Sequence, residues 1–427
     1  MPADPTGGPA DRRLRRVLRE AGVRAVYGEP AEGLAVTPVA PELAPLLALA
    51  HEKVFGGAAA VHRPDGTLVL GARWALSDPG RPLPSGAPHL SPAALEESDL
   101  VALSRRSPQG WGEVPDGVLR ALAGRRAPVV LAGPGVVAER AVPGLHALAA
   151  AAGLGVLNTW GAKGVFDWRS RHHWATVGLQ ERDLDLGGLR GSDAVVTVGL
   201  DPLELPGDPG AYGPVVPLEP WMLDPLSEYW SRPAGDVELP PLRTRLADVT
   251  QEGWRSTGRP MPPSQVTRSY STLLGGQGGL VAADPGVSGY WLARTYPTSR
   301  LGEALVPGER DVPGFSLACA VLARRADPDR PVLALADAPL QPAHHALRDL
   351  ARSWGVPVAL ECWDPDGPML GPEEHSARLA DALADDRPSE LALATDSVQL
   401  GRMTAVAGRI TAWGLGSEPA PGRTDGG

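Results

Sequence analysis

The chain has 427 residues, a net charge of −10 and a pI near 5.5. That is too long for one small domain, since a domain typically takes roughly 100 to 200 residues. Hydrophobic residues make up 43% and charged residues 21%, with no apolar run near the ~20 residues that span a bilayer and no strongly basic stretch of domain size, so neither a membrane span nor a nucleic-acid partner is expected.

The start MPADPTGGPADRR has no apolar segment behind its arginines, and the cytoplasm is the expected compartment. Two cysteines, Cys319 and Cys362, cannot build a disulfide framework or a four-thiolate zinc site and are expected as buried small hydrophobes. Of the 40 basic residues only Lys53 and Lys163 are lysines, which singles both out.

Glycine and proline cluster between periodic segments and mark the joints. They divide the chain into a first block over 10–75, a linker over 76–114, a central block over 115–232, a second linker over 233–263, a third block over 264–398 and a C-terminal extension over 399–427 with a frayed tail. The first block opens with DRRLRRVLREAG, where Leu14, Val17, Leu18 and Ala21 make an apolar helical stripe. VRAVYG then reads as a strand, APELAPLLALAHEKVFGGAAAVH as a helix and GTLVLG as a strand.

In the central block APVVLAGPGVV reads as a buried strand entering a glycine turn, ERAVPGLHALAAAAG as a helix, and LGVLNTW and SDAVVTVGLD as further strands, a βαβ pattern. Gly133, Gly135 and Ala138 form G-x-G-x-x-A, the context in which backbone amides receive a pyrophosphate. A dinucleotide site also needs an acid about 20 residues on to hold the ribose. Asn158 and Thr159 stand there, so the glycines are expected to make a tight turn for close packing, and neither FAD nor another nucleotide is the expected cofactor. The third block alternates again through GGLVAADPG, GFSLACAVLARRA, RPVLALADA, AHHALRDLARSWG, VPVALECWDPDG, HSARLADALAD and SELALAT. The fold class is α/β, with three parallel-sheet blocks and a Rossmann-like centre.

Read together, APVVLAGPGVV, GVLNTWGAKGVF with Lys163, WATVGLQ and SDAVVTVGLD resemble the central domain of the thiamine diphosphate (thiamine pyrophosphate) enzymes of the acetolactate synthase and pyruvate decarboxylase group, in order and spacing. EAGVRAVYGEPAEG, with Gly28, is similar to that family's pyrimidine-domain start, and Glu52 follows at the place of its initiating glutamate. In the third block Asp284, Gly286 and Trp291 match a D-x-G-x-x-x-x-W element of the diphosphate domain. The family's G-D-G falls on Ala336, Asp337 and Ala338, and its later asparagine on Asp364.

What the resemblance implies is a cofactor, thiamine diphosphate with Mg²⁺, bound at Gly28, Glu52, Asp284, Gly286, Asp337 and Ala338. Asp337 and Asp364 would be the metal ligands, and Glu52 the acid that promotes the imino tautomer of the aminopyrimidine. It also implies a homodimer or homotetramer, or a partner subunit, acting on a small 2-oxo acid by decarboxylation or carboligation. Two departures count against activity. A carboxylate at 364 in place of an amide adds repulsion toward a diphosphate of about 3 kcal/mol at roughly 6 Å and a dielectric of about 20. The family's pyrimidine domain continues for about 100 residues beyond the point where this chain enters its linker. The alternative is a non-catalytic relative that keeps the fold as a binding or assembly module.

Other residues fit this frame without a site. His172–His173 and His344–His345 are adjacent pairs rather than i, i+4 metal ligands. Twelve tryptophans, mostly in loops, point to packing between domains or subunits.

Overall fold

The computed structural model describes residues 16, 18–19, 22–31, 34–71, 76, 89–90, 113–205, 207–230 and 238–416. These form three five-stranded sheets, one per block.

The first sheet comprises β1 (Val23–Gly28), β2 (Thr37–Pro38), β3 (Ala58–His62), β4 (Leu68–Leu70) and β5 (His89–Leu90), in the order β2-β1-β3-β4-β5. β1 runs parallel to β2 and β3, whereas β3–β4 and β4–β5 are antiparallel. Helix α1 (Ala44–Phe55) is shorter than the helix expected over 40–62. Gly56 and Gly57 adopt φ 70° and 80°, a region that glycine enters without penalty, and the chain leaves them extended as β3. Alanine suits either state, so the run Ala58–Ala60 disguised a strand. Most of the arginine-rich opening lies outside the described residues; Arg16, Leu18 and Arg19 are helical and Leu18 is buried.

The central block contains α2 (Asp116–Leu122), β6 (Pro128–Ala132), α3 (Gly135–Ala138), α4 (Val142–Ala152), β7 (Gly155–Thr159), β8 (His173–Val177), α5 (Asp183–Leu186), β9 (Ala194–Val198), β10 (Val215–Leu218) and α6 (Leu223–Tyr229). Its sheet is wholly parallel, in the order β10-β9-β6-β7-β8. β6 and β7 are buried along their whole length, as continuous apolar runs between two helical layers should be.

Neither expected linker is merely a linker. The first contributes β5, although most of it lies outside the described residues. The second holds α7 (Pro241–Trp254), which buries Leu242, Leu246, Thr250 and Gly253 at helical spacing; its proline-rich flanks hid that period.

The third block has α8 (Pro263–Leu274), β11 (Leu280–Ala283), α9 (Val287–Thr295), β12 (Ala304–Leu305), α10 (Phe315–Ala326), β13 (Val332–Asp337), α11 (Pro342–Trp354), β14 (Ala359–Trp363), α12 (Pro372–Ala384) and β15 (Ser389–Leu393). The sheet order is β12-β11-β13-β14-β15, all parallel. A last helix, α13 (Val398–Ala407), occupies the C-terminal extension. α10 is buried from Phe315 to Ala323 because it lies between its own sheet and α1 of the first block, sharing one apolar cluster with both. That position explains a helix apolar on nearly every side. Both cysteines are buried and free, as expected.

A second cluster joins the central and third blocks through Leu157, Trp160 and Val177 on one side and Val266, Tyr290 and Trp291 on the other. Trp160 and Trp413 pack together at 5.2 Å and both indoles donate to the Pro307 carbonyl, at 2.9 and 3.0 Å. Among the described residues no helix is long and apolar enough to cross a membrane.

Candidate functional site

Parallel α/β sheets place ligands beyond the carboxyl ends of their strands, and the third sheet gathers the expected residues there. β11 ends in front of Asp284, β13 in Asp337 and β14 in front of Asp364. Asp337 aims both carboxylate oxygens at the start of α9. Oδ2 accepts the Val287 amide at 2.5 Å and Oδ1 accepts the Ser288 amide at 3.0 Å. These are first-turn N–H groups with no partner inside the helix, and the positive end of the helix favours an anion at that point. Gly286 permits the approach, since a Cβ there would lie 2.1 Å from Asp337 Oδ2. Burial, reinforced by the nearby Asp284, raises the Asp337 pKa against the lowering effect of those amides.

Asp284 does the same for α10. It is 6% exposed and accepts the amides of Gly314 and Ser316 at 2.6 and 2.8 Å, with His344 Nε2 at 2.7 Å. The Ala338 amide donates to the Trp363 carbonyl at 3.0 Å, and Pro339 has no N–H, so the turn after β13 keeps no free amide at these two positions. Asp364 is half-buried and closes its own turn by accepting the Asp366 amide at 2.9 Å. Among the described residues no three His, Cys, Asp or Glu side chains gather as a metal-binding group.

Glu52 lies near the carboxyl end of α1, half-buried, and Oε1 accepts the Ala59 amide at 2.9 Å. Gly28 ends β1, where a Cβ would lie 2.1 Å from the His62 carbonyl oxygen, so glycine allows that strand crossing. Next to Glu52, Lys53 reaches into the central block and lies 3.9 Å from Glu204. Glu204 is fully buried and accepts the Thr159 hydroxyl at 2.6 Å and the Gly161 amide at 2.9 Å. Burial raises its pKa, with Lys53 opposing.

The glycine turn of the central block sits between β6 and β9, where the strand order reverses. Its amides are already used: Gly133 donates to the Val198 carbonyl and Gly135 to the Gly199 carbonyl, at 2.9 and 2.8 Å. A Cβ on Gly133 would stand 2.3 Å from the Gly199 oxygen, so these glycines serve close packing of two strand ends. Asn158 and Thr159 point inward, to Thr176 and Glu204.

Two features were not anticipated. Arg294, within the apolar stretch of α9, forms a buried pair with Asp183 at 2.8 Å and donates to the Thr176 carbonyl at 2.8 Å. Glu361 on β14 is buried between His375, at 2.8 Å, and the Tyr270 hydroxyl. A lone charge inside an apolar run, as at Arg294 and Glu361, was the available signal.

These strand ends and helix starts define an α/β protein of three parallel-rich layers with its polar residues at the carboxyl edges. Comparison with known families adds a narrower statement. Residues 116–208 match the model described as "Thiamine pyrophosphate enzyme, central domain", and the central block is a domain of that kind. The match covers neither flanking block. No curated protein matches the chain.

Proposed function

We propose that the chain is a relative of the thiamine pyrophosphate enzymes whose diphosphate crevice is filled by its own carboxylates, and that it works as a non-catalytic binding or assembly module. The observation that carries this reading is the engagement of Asp337 with the Val287 and Ser288 amides. The anion-receiving start of α9 already has its anion. A diphosphate charge about 4 Å from that carboxylate meets a repulsion of roughly 4 kcal/mol at an effective dielectric of about 20. The missing glycines on either side of Asp337 and the engaged Ala338 amide remove further donors, so thiamine diphosphate with Mg²⁺ fits poorly here.

Calorimetric titration of the full chain with thiamine diphosphate and Mg²⁺ tests this, and the expected outcome is no saturable heat. Saturable heat that Asp337→Ala abolishes would overturn the reading in favour of a second one, thiamine diphosphate-dependent decarboxylation or carboligation of a 2-oxo acid. The central-domain match and the placement of Glu52 near the end of α1 favour that second reading. Pyruvate consumption lost in Glu52→Gln would then assign the initiating acid. Under either reading we propose self-association as a homodimer or homotetramer, because the first block is too small to bury much surface by itself.

A further inference from the structure

A separate cavity of about 220 Å³ lies between β8, one face of α7, the end of α9 and the segment after β7. Lys163 lines it. This lysine is 8% exposed, and among the described residues its amine makes no hydrogen bond or ion pair. Its ionisable neighbours are basic or already neutralised. Arg294 comes from α9, Arg243 from α7 and His173 from β8. Asp183 is held by Arg294, and Asp167 by Arg169. Arg243 is tied to the Trp168, Ser170 and His173 carbonyls.

Among the residues that line the cavity, His173 Nδ1, Trp174 Nε1, Trp254 Nε1 and Arg294 Nε are buried without hydrogen-bond partners. A buried cation with no counter-charge, among polar nitrogens that have no partner, is costly unless something satisfies them. Trp168, Trp174 and Trp254 supply flat apolar walls, and Trp168 and Trp254 meet edge to face at 5.5 Å.

We propose that this cavity binds a small organic carboxylate with a flat apolar body, its charge set against Lys163 and its body between the indoles. The site uses none of the residues of the diphosphate crevice and stands whether or not that crevice takes a cofactor. Burial, with Arg294 nearby, holds the Lys163 amine down at about 7, and a bound anion restores its charge.

The probes are benzoate and its cationic counterpart benzylamine, titrated calorimetrically into the full chain. Benzoate is expected to bind saturably and benzylamine not at all. Lys163→Met should weaken benzoate by about tenfold or more, and Ala247→Leu, which narrows the cavity from α7 without altering charge, should weaken it comparably. With only two lysines in the chain, reductive ¹³C-methylation gives resolvable signals, and the one from Lys163 should titrate at higher pH when benzoate is present. Failure of benzoate to saturate at about 10 mM, equal binding of benzylamine, or benzoate affinity unchanged in Ala247→Leu would overturn the assignment. The Ala247 variant decides the matter if Lys163→Met does not fold.

Discussion

Lys163 and His173 are bases held away from water without an acid to pair with. Burial, with Arg294 beside it, brings Lys163 down to about 7, and burial, with Lys163 and Arg243 beside it, brings His173 down to about 3. Unfolded, they titrate near ~10.4 and ~6.5. Between its folded and unfolded values each group holds its proton only in the unfolded chain, so stability climbs with pH, over about pH 3 to 6.5 for His173 and about pH 7 to 10.4 for Lys163. The slope reaches about 1.4 kcal/mol per pH unit for each proton. Cys319 and Cys362, both raised by burial, oppose the trend only above their unfolded value of about 8.5, so Lys163 is best read over about pH 7 to 8.5. There the wild-type urea midpoint should rise with pH, whereas Lys163→Met should show a flatter profile. Identical slopes would mean that the amine is not depressed.

Helices α9 and α10 are entered from Gly286 and Gly314, residues without a side chain to cap them. Both borrow a carboxylate from a strand end instead, Asp337 and Asp284. Removing Asp284 leaves two first-turn amides and the buried His344 ring without their acceptor, so Asp284→Ala should cost about 2–4 kcal/mol. Asp337→Ala frees two amides at a less buried place and should cost about 0.5–2 kcal/mol; chemical denaturation of both variants checks the order. These caps were hidden in the sequence because donor and acceptor lie far apart, 30 residues for Asp284 and Gly314 and 50 for Asp337 and Val287. Strands β6, β7, β9, β11, β13, β14 and β15 were readable, most of them because a strand buried on both faces is a short apolar run that ends at a glycine or a charge; β8, β10 and β12, short or half-exposed, escaped that pattern. α7 and β3 were not readable either, the first for its proline flanks and the second for its alanines. Lys163 stood out by its rarity and its place in GVLNTWGAKGVF; the cavity around it draws on four segments that no local pattern connects.

The third block is the hub of the molecule. Its sheet shares one apolar cluster with the central block and another, through α10, with α1 of the first block. The Lys53–Glu204 pair joins the remaining two. Domains in contact through small polar surfaces unfold independently, whereas a continuous apolar core couples them. The first block, too small to bury much by itself, should therefore unfold with the others. Leu47 on α1 tests this, being fully buried within the shared cluster; Leu47→Ala should cost about 2–5 kcal/mol. Of the twelve tryptophans only Trp74 falls in the first block, so indole fluorescence reports mainly on the other two. If the core is continuous, the variant shifts the fluorescence midpoint in urea as far as the far-ultraviolet circular dichroism midpoint, from a site that carries almost none of the fluorescence. A fluorescence curve that stays in place while part of the dichroism signal moves to lower urea would show that α1 detaches from α10 by itself.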